Sequence, residues 1–353
     1  MSLETVWFIL IAVLWSGYFV LEGFDFGVGM LLPVLGRSES DRSAMLNTIG
    51  PIWDGNEVWL IVAGGATFAA FPLWYATMFS GFYLALLAIL VCLILRVVSF
   101  EWCGKGDTPR WLGFWTWVNA VTSCLAAVIW GVALSNLLQG LPIDSSQEFT
   151  GNFLDLFSPF TVFAGLAFCL LFLFHGAGFL SLRTVGDLGQ RSARMARRLA
   201  APALLAGILF MVWCVATAVA ENDRGVLGPL VPAVAGSLAL CGAALAARAR
   251  RPGLSFTLGA AGIVGVIATL FTGLYPRVMV SSTDLANSLT TGNAASSHYS
   301  LTVITIVAGC LLPVVLAYQS WSYWVFRHRV SEDGFEQAGN PIEAIRQRTE
   351  KRR

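Results

Sequence analysis

An all-α bundle of about nine transmembrane helices is the fold class this sequence predicts, and three observations carry the prediction. Of 353 residues, 56% are hydrophobic and only 12% charged, with a mean hydropathy of +0.70. Soluble domains carry about 25% charged residues, so this chain has too little charge to cover a water-facing surface. The apolar residues fall in runs near the roughly 20 residues that a bilayer core requires. Lys and Arg, finally, sort to alternate connections between the runs, as in a polytopic membrane protein.

The runs lie near 6–32, 57–71, 76–99, 113–139, 159–182, 199–220, 227–247, 254–275 and 301–326. The first is expected to be retained, because Met1-Ser2-Leu3-Glu4 lacks a basic leader and no small-residue cleavage pattern follows. The second is short and meets the third at Phe71-Pro72, a tight helical hairpin in which the missing proline N–H is tolerated. With the N-terminus outside and nine alternations, all but Arg224 and Arg277 of the 22 Lys and Arg fall on the inner side, which puts the C-terminus in the cytoplasm. Segment 140–158 carries Asp144, Glu148 and Asp155 without any Lys or Arg and reads as an outside loop. The Ser-, Thr- and Asn-rich stretch 275–300 is also outside and long enough to fold over the protein. Residues 1–329 are expected to form one transmembrane domain and 330–353 a polar cytoplasmic tail.

Ionisable groups inside a membrane cost about 2.5–3.5 kcal/mol each at a helix centre, so they are functional candidates. Glu22 and Asp25, three residues apart in the first run, share a helix face and lie toward its inner side, Glu22 about 25 Å along. Asp54 and Glu57 repeat the spacing at the inner start of the second run, inside Pro51-Ile52-Trp53-Asp54-Gly55-Asn56-Glu57. Four carboxylates thus converge on one side of the bilayer; like charges so close cannot all stay ionised, and such a cluster can relay protons. Structural uses compete. Asp54 followed by Glu57 matches a capping box, and Arg37 or Arg42 stands near enough in sequence to neutralise Glu22 and Asp25. Gly23 and Gly27 form a G-x-x-x-G that lets a neighbouring helix approach closely.

The remaining chemistry is sparse. The seven cysteines contain no C-x-x-C pair and mostly lie in apolar runs, reading as small hydrophobes rather than disulfide partners or metal ligands. Three histidines, His175, His298 and His328, are scattered in depth, poor material for a haem centre. His175 reads as a packed core residue. Trp7, Trp53, Trp111, Trp321 and Trp324 read as interfacial anchors. No metal site or nucleic-acid-binding pattern is expected. Intramembrane acids would also suit an ion-coupled secondary transporter, although the inverted repeats and broken helices of that class are not evident.

Gly23-Phe24-Asp25-Phe26-Gly27-Val28-Gly29-Met30 and Pro51-Ile52-Trp53-Asp54-Gly55-Asn56-Glu57-Val58-Trp59 resemble subunit II of the cytochrome bd oxidases. The likeness continues through Ala63-Gly64-Gly65-Ala66, Phe79-Ser80-Gly81-Phe82-Tyr83, Asn136-Leu137-Leu138-Gln139-Gly140 and Thr150-Gly151-Asn152-Phe153. It extends to Arg183-Thr184-Val185-Gly186, Ser281-Ser282-Thr283 and Asn287-Ser288-Leu289-Thr290, so the landmarks span about residues 15–325 in order. The resemblance implies a bacterial cytoplasmic (inner) membrane heterodimer with a subunit I that carries haem b, haem d and the quinol site, alongside lipids, quinone and any small accessory subunits. It further implies oxidation of quinol and reduction of dioxygen to water in an aerobic respiratory chain. For this chain it implies a scaffold and a cytoplasmic proton path through Glu22, Asp25, Asp54 and Glu57, with Trp53 and Asn56 as supporting motif residues. Glu57 stands where some relatives have Gln.

Overall fold

The computed structural model describes residues 2–330 except 104, 107, 221, 223, 224 and 328, so Arg224, His328 and, apart from Val330, the expected tail lie outside the described residues. Eleven α-helices follow in chain order: α1 (Leu3–Leu35), α2 (Glu39–Ile49), α3 (Trp53–Ala70), α4 (Pro72–Gly81), α5 (Tyr83–Cys103), α6 (Pro109–Gln139), α7 (Pro159–Arg183), α8 (Gly186–Ala220), α9 (Leu227–Arg248), α10 (Pro252–Leu274) and α11 (His298–Val325). Among the described residues, α1 and α5 to α11 are the eight helices long and apolar enough to cross a membrane. The expected second span is α3, whose 18 residues reach about 27 Å. Asp54, Asn56 and Glu57 crowd its first turns and keep it from reading as a span by composition. It nevertheless runs between the two ends of the bundle, starting beside α2 and finishing where Ala70 accepts from the Ser296 amide at 2.9 Å.

The helices alternate in direction as expected, but the third crossing is α5 alone rather than 76–99. Helix α4 stays at the end where α3 finishes, its Thr77 hydroxyl donating to the Gln147 carbonyl at 2.8 Å and Gly81 lying against Phe149 and Leu141. Pro72 occupies the first turn of α4, and Phe71, at φ −135° and ψ 69°, breaks the chain from α3. Phe82 caps α4 and turns the chain into α5, its N–H reaching Met78 and its carbonyl accepting from Leu86. Two features were not expected. The polar helix α2 fills the first connection between spans, started by a Ser38–Asp41 capping box. And α8 begins at Gly186, some four turns of basic helix before its apolar run.

One end of the bundle is covered by the long loop. Strand β1 (Arg277–Met279) pairs antiparallel with β2 (Leu289–Thr290), and Ser281 and Thr283 hydroxyls both donate to the Ile143 carbonyl, tying the loop to segment 140–158. Thr5 and Tyr275 hydroxyls meet at 3.2 Å, so the start of α1 lies at this end too. At the opposite end Arg191 bridges α8 to α1 and α2, donating to the Leu35 carbonyl and the Asp41 carboxylate, each at 2.6 Å. Val330 donates to Arg183 and accepts from Val185, which fixes the exit of α11 beside the α7–α8 turn.

Burial alone would raise the Asp41 carboxyl, but hydrogen bonds from Arg191 and the Ser38 and Arg37 amides outweigh it and hold it below the usual carboxylate range. Because the folded value is depressed, this stabilisation is complete above the ordinary Asp value near 3.9 and is lost as pH falls through the lower folded value. Thermal melts between pH 7 and 3 are expected to show a stability loss in that acid window that Asp41→Asn removes.

The G-x-x-x-G expectation holds through α7. A Cβ on Gly27 would stand 2.0 Å from the Phe172 carbonyl oxygen, and Gly176 lies against Gly27 backbone to backbone. A carbonyl cannot rotate away, so Gly27→Ala is expected to cost about 3 kcal/mol, at the upper end for overpacking, read as a lower melting temperature. Below this contact Trp15, Tyr18, Phe19, Trp130, Phe168 and Phe172 form a buried aromatic core of edge-on and stacked rings. Trp7 belongs inside rather than at an interface, since it is buried and donates to Thr305 at 2.9 Å. Trp321 and Trp324 are exposed as expected of anchors.

Candidate functional site

The acids gather around an arginine that the sequence pattern had counted as an inner-side surface charge. Arg96, on α5, is fully buried. Its Nη1 donates both to Glu22 of α1, in direct contact, and to Glu57 of α3 at 3.3 Å. Phe26 and Phe100 rings lie 4.9 and 5.4 Å from the guanidinium and exclude water from its faces. Helix α1 can deliver both Glu22 and Asp25 because a three-residue step keeps them on one face, opposite the Gly23–Gly27 seam that closes on α7.

Asp25 is held separately. Its Oδ2 accepts from Asn56 Nδ2 at 2.7 Å, and Asn56 Oδ1 accepts from the Tyr323 hydroxyl of α11 at 2.7 Å. Near them Trp59 donates to Gln319 at 2.7 Å, a second tie between α3 and α11. Glu22 Oε2 and Asp25 Oδ1 are buried and have no hydrogen-bond partner among the described residues. Two carboxyls thus share one guanidinium with a third close by, and full ionisation of all three would leave two charges uncompensated.

The four predicted acids are not equivalent. Glu22 and Asp25 are fully buried, the Glu57 side chain is 20% exposed, and Asp54 is exposed at the first turn of α3. The expected convergence of four is therefore three inside and one at the mouth. Arg37 and Arg42 do not neutralise the buried pair; Arg42 donates to the Gly36 carbonyl at 3.0 Å, and Arg96 takes the neutralising role. The capping-box reading of Glu57 fails as well, since α3 has no side-chain cap bond at its N-cap, Ile52, and Glu57 reaches Arg96 instead. Trp53 packs edge-on with Phe100 at 5.9 Å, beside the cluster.

Arg96 and Tyr323 were missed. Arg96 had a signal: it lies between Leu93-Ile94-Leu95 and Val97-Val98, where a membrane arginine demands a buried acid. Gln319 and Tyr323, four residues apart, mark a polar stripe on an otherwise apolar helix, although nothing in the sequence pairs them with α3.

Fold and site together define a multi-pass membrane protein that keeps a compact set of proton-bearing groups inside its helical bundle. The profile of the family described as cytochrome bd terminal oxidase subunit II matches residues 3–326, and the chain belongs to that family. It is 42% identical over 335 residues to the cytochrome bd ubiquinol oxidase subunit 2 of Bacillus subtilis, covering 94% of this chain and 97% of that one. Against the cytochrome bd-I ubiquinol oxidase subunit 2 of Escherichia coli K12 it is 36% identical over 368 residues, covering 95% and 97%. A chain from "The structure of bd oxidase from Geobacillus thermodenitrificans" shares the fold, with a TM-score of 0.73 over 92% of this chain and 99% of that one at 17% identity. The chain is accordingly a subunit of an oxidoreductase and a multi-pass protein of the bacterial cytoplasmic (inner) membrane, and the transporter reading is set aside.

The family implies haem, and the residues of this chain do not fit one. His175 is 2% exposed, with Nε2 3.1 Å from the Val20 carbonyl oxygen and Phe256 stacked on its face at 4.4 Å. A macrocycle therefore has no open face to reach, although Nδ1 has no hydrogen-bond partner among the described residues. Met30 Sδ lies 3.5 Å from Cys169 Sγ, packed in sulfur contact. Among the described residues no group of three or more His, Cys, Asp or Glu is placed to hold a metal ion.

Proposed function

We propose that this chain is the second subunit of a heterodimeric quinol oxidase that reduces dioxygen to water, scaffolding a subunit I that bears haem b, haem d and the quinol site. Its own chemistry is proton uptake from the cytoplasm. The observation that carries this reading is the graded burial of acids around Arg96: Asp54 exposed, Glu57 partly exposed, Glu22 and Asp25 enclosed.

In this reading the arginine-rich end, with α2 and the α7–α8 turn, faces the cytoplasm and the covered end faces outward, in keeping with the positive-inside rule. Asp54 collects protons at the membrane face. Glu57 accepts them one turn further in, where it shares Arg96 Nη1 with Glu22. Arg96 stays protonated and holds the two carboxylates on one nitrogen, so a proton added to either is compensated locally. The unpartnered oxygens of Glu22 and Asp25 are where a proton can reside before it passes toward the partner.

The partner surface is supported by α11, in which only Leu301 is buried among the described residues, while Val307, Leu311, Val314 and Tyr318 are exposed. Co-purification tests the assembly: the chain should bring a second multi-spanning subunit with d-type haem absorption. Asp54→Asn is expected to slow oxygen consumption with haem content unchanged. Unaltered turnover would remove Asp54 from the path, and loss of haem would assign it a structural role instead.

A further inference from the structure

The arginine-rich end also holds a cavity of about 450 Å³ among the ends of α7, α8, α9 and α10, sharing no lining residue with the acid cluster. Arg194 and Arg197 of α8, Arg250 of the α9–α10 turn and Gln190 line it, and the small residues Gly178 and Ala247 leave the space open. Ser181 and Ser255 also line it, but their hydroxyls donate to the Gly178 and Ala243 carbonyls, so donors for a ligand come from the arginines and the amide.

Two observations indicate that these arginines are placed for a ligand. Arg250 has φ +56°, in the left-handed region, within a turn where its N–H reaches Ala247 at 3.2 Å and that of Arg251 reaches Ala246 at 2.9 Å. Glycine is the usual residue at such a helix end, so an arginine there carries a backbone cost. Secondly, the nearby acid, Asp187, is engaged by Arg191 at 2.9 Å and more loosely by Arg194 at 3.8 Å. Arg197, half-buried, and Arg250 have no ion-pair partner among the described residues.

The cavity sits where α7 and α9 finish, α10 starts, and the apolar run of α8 begins, the level of lipid headgroups. Leu245 and Leu254, both exposed, stand within a turn of it along α9 and α10. At that level a lipid headgroup with its acyl chains alongside exposed leucines is at hand. We propose that the cavity binds the headgroup of an anionic phospholipid, its phosphate received by Arg197 and Arg250 and its acyl chains running along the exposed leucines.

The test is a thermal-shift titration of the purified complex with short-chain phosphatidylglycerol, short-chain phosphatidylcholine and inorganic phosphate. The melting temperature is expected to rise with phosphatidylglycerol only. Arg250→Gly suits the turn and should leave the lipid-free melting temperature intact while weakening the response about fivefold, and Arg197→Gln should weaken it similarly. An unchanged response in both variants, or an equal response to phosphatidylcholine, would overturn the proposal. A rise with inorganic phosphate matching that with phosphatidylglycerol would overturn it too, showing a free-anion site.

Discussion

Asp25→Asn is expected to lower quinol-driven oxygen consumption by the assembled complex about 10²-fold, the scale of a removed proton-transfer group, with haem content unchanged. The substitution is nearly isosteric. The carbonyl of the introduced amide can still accept from Asn56 Nδ2, so the chain of bonds to Tyr323 survives. What disappears is the second carboxylate oxygen, which has no partner among the described residues and can take and release a proton. The measurement is oxygen uptake beside an absorption spectrum of the same preparation. Full activity in Asp25→Asn would end the assignment of this residue to the path, and lost haem would show that its charge serves assembly.

The second large effect falls on Arg96. Arg96→Met fills the volume but leaves Glu22 enclosed without a counter-charge, and breaking a buried pair in this way costs about 3–5 kcal/mol. A complex carrying it is expected to melt many degrees lower or to fail in assembly. Because the damage comes from the stranded acid, Arg96→Met with Glu22→Gln should recover much of the stability without recovering turnover. That split separates the structural work of the arginine from the proton work of the acid. Equal melting of the single and double variants would contradict the pairing.

The helical bundle was legible because its signals are local. Apolar runs, the G-x-x-x-G seam and the alternation of basic connections each depend on residues close in sequence. Glu22, Asp25, Asp54 and Glu57 could be found for the same reason, as charges in or beside apolar runs. Their partners could not, since Arg96 lies 74 residues from Glu22 and Tyr323 lies 267 from Asn56. Arg96 was also disguised, because it fits the positive-inside pattern as well as any surface charge near the end of its span. The polar α2 and the basic start of α8 escaped for another reason. Their mean hydropathy is low, and a search for spans passes over helices that lie beside the membrane.

The hydroxyl that completes the Asp25–Asn56 chain comes from α11, while Asp25 itself comes from α1. During biosynthesis the acids of α1 and α3 therefore enter the bilayer long before Tyr323 and Gln319 leave the ribosome. Until then Asn56 lacks its donor, and the flank of α3 that α11 later covers stands open to lipid. Maturation of the proton site is thus tied to the order of translation: a nascent chain released before residue 319 would carry the buried acids yet never close them in.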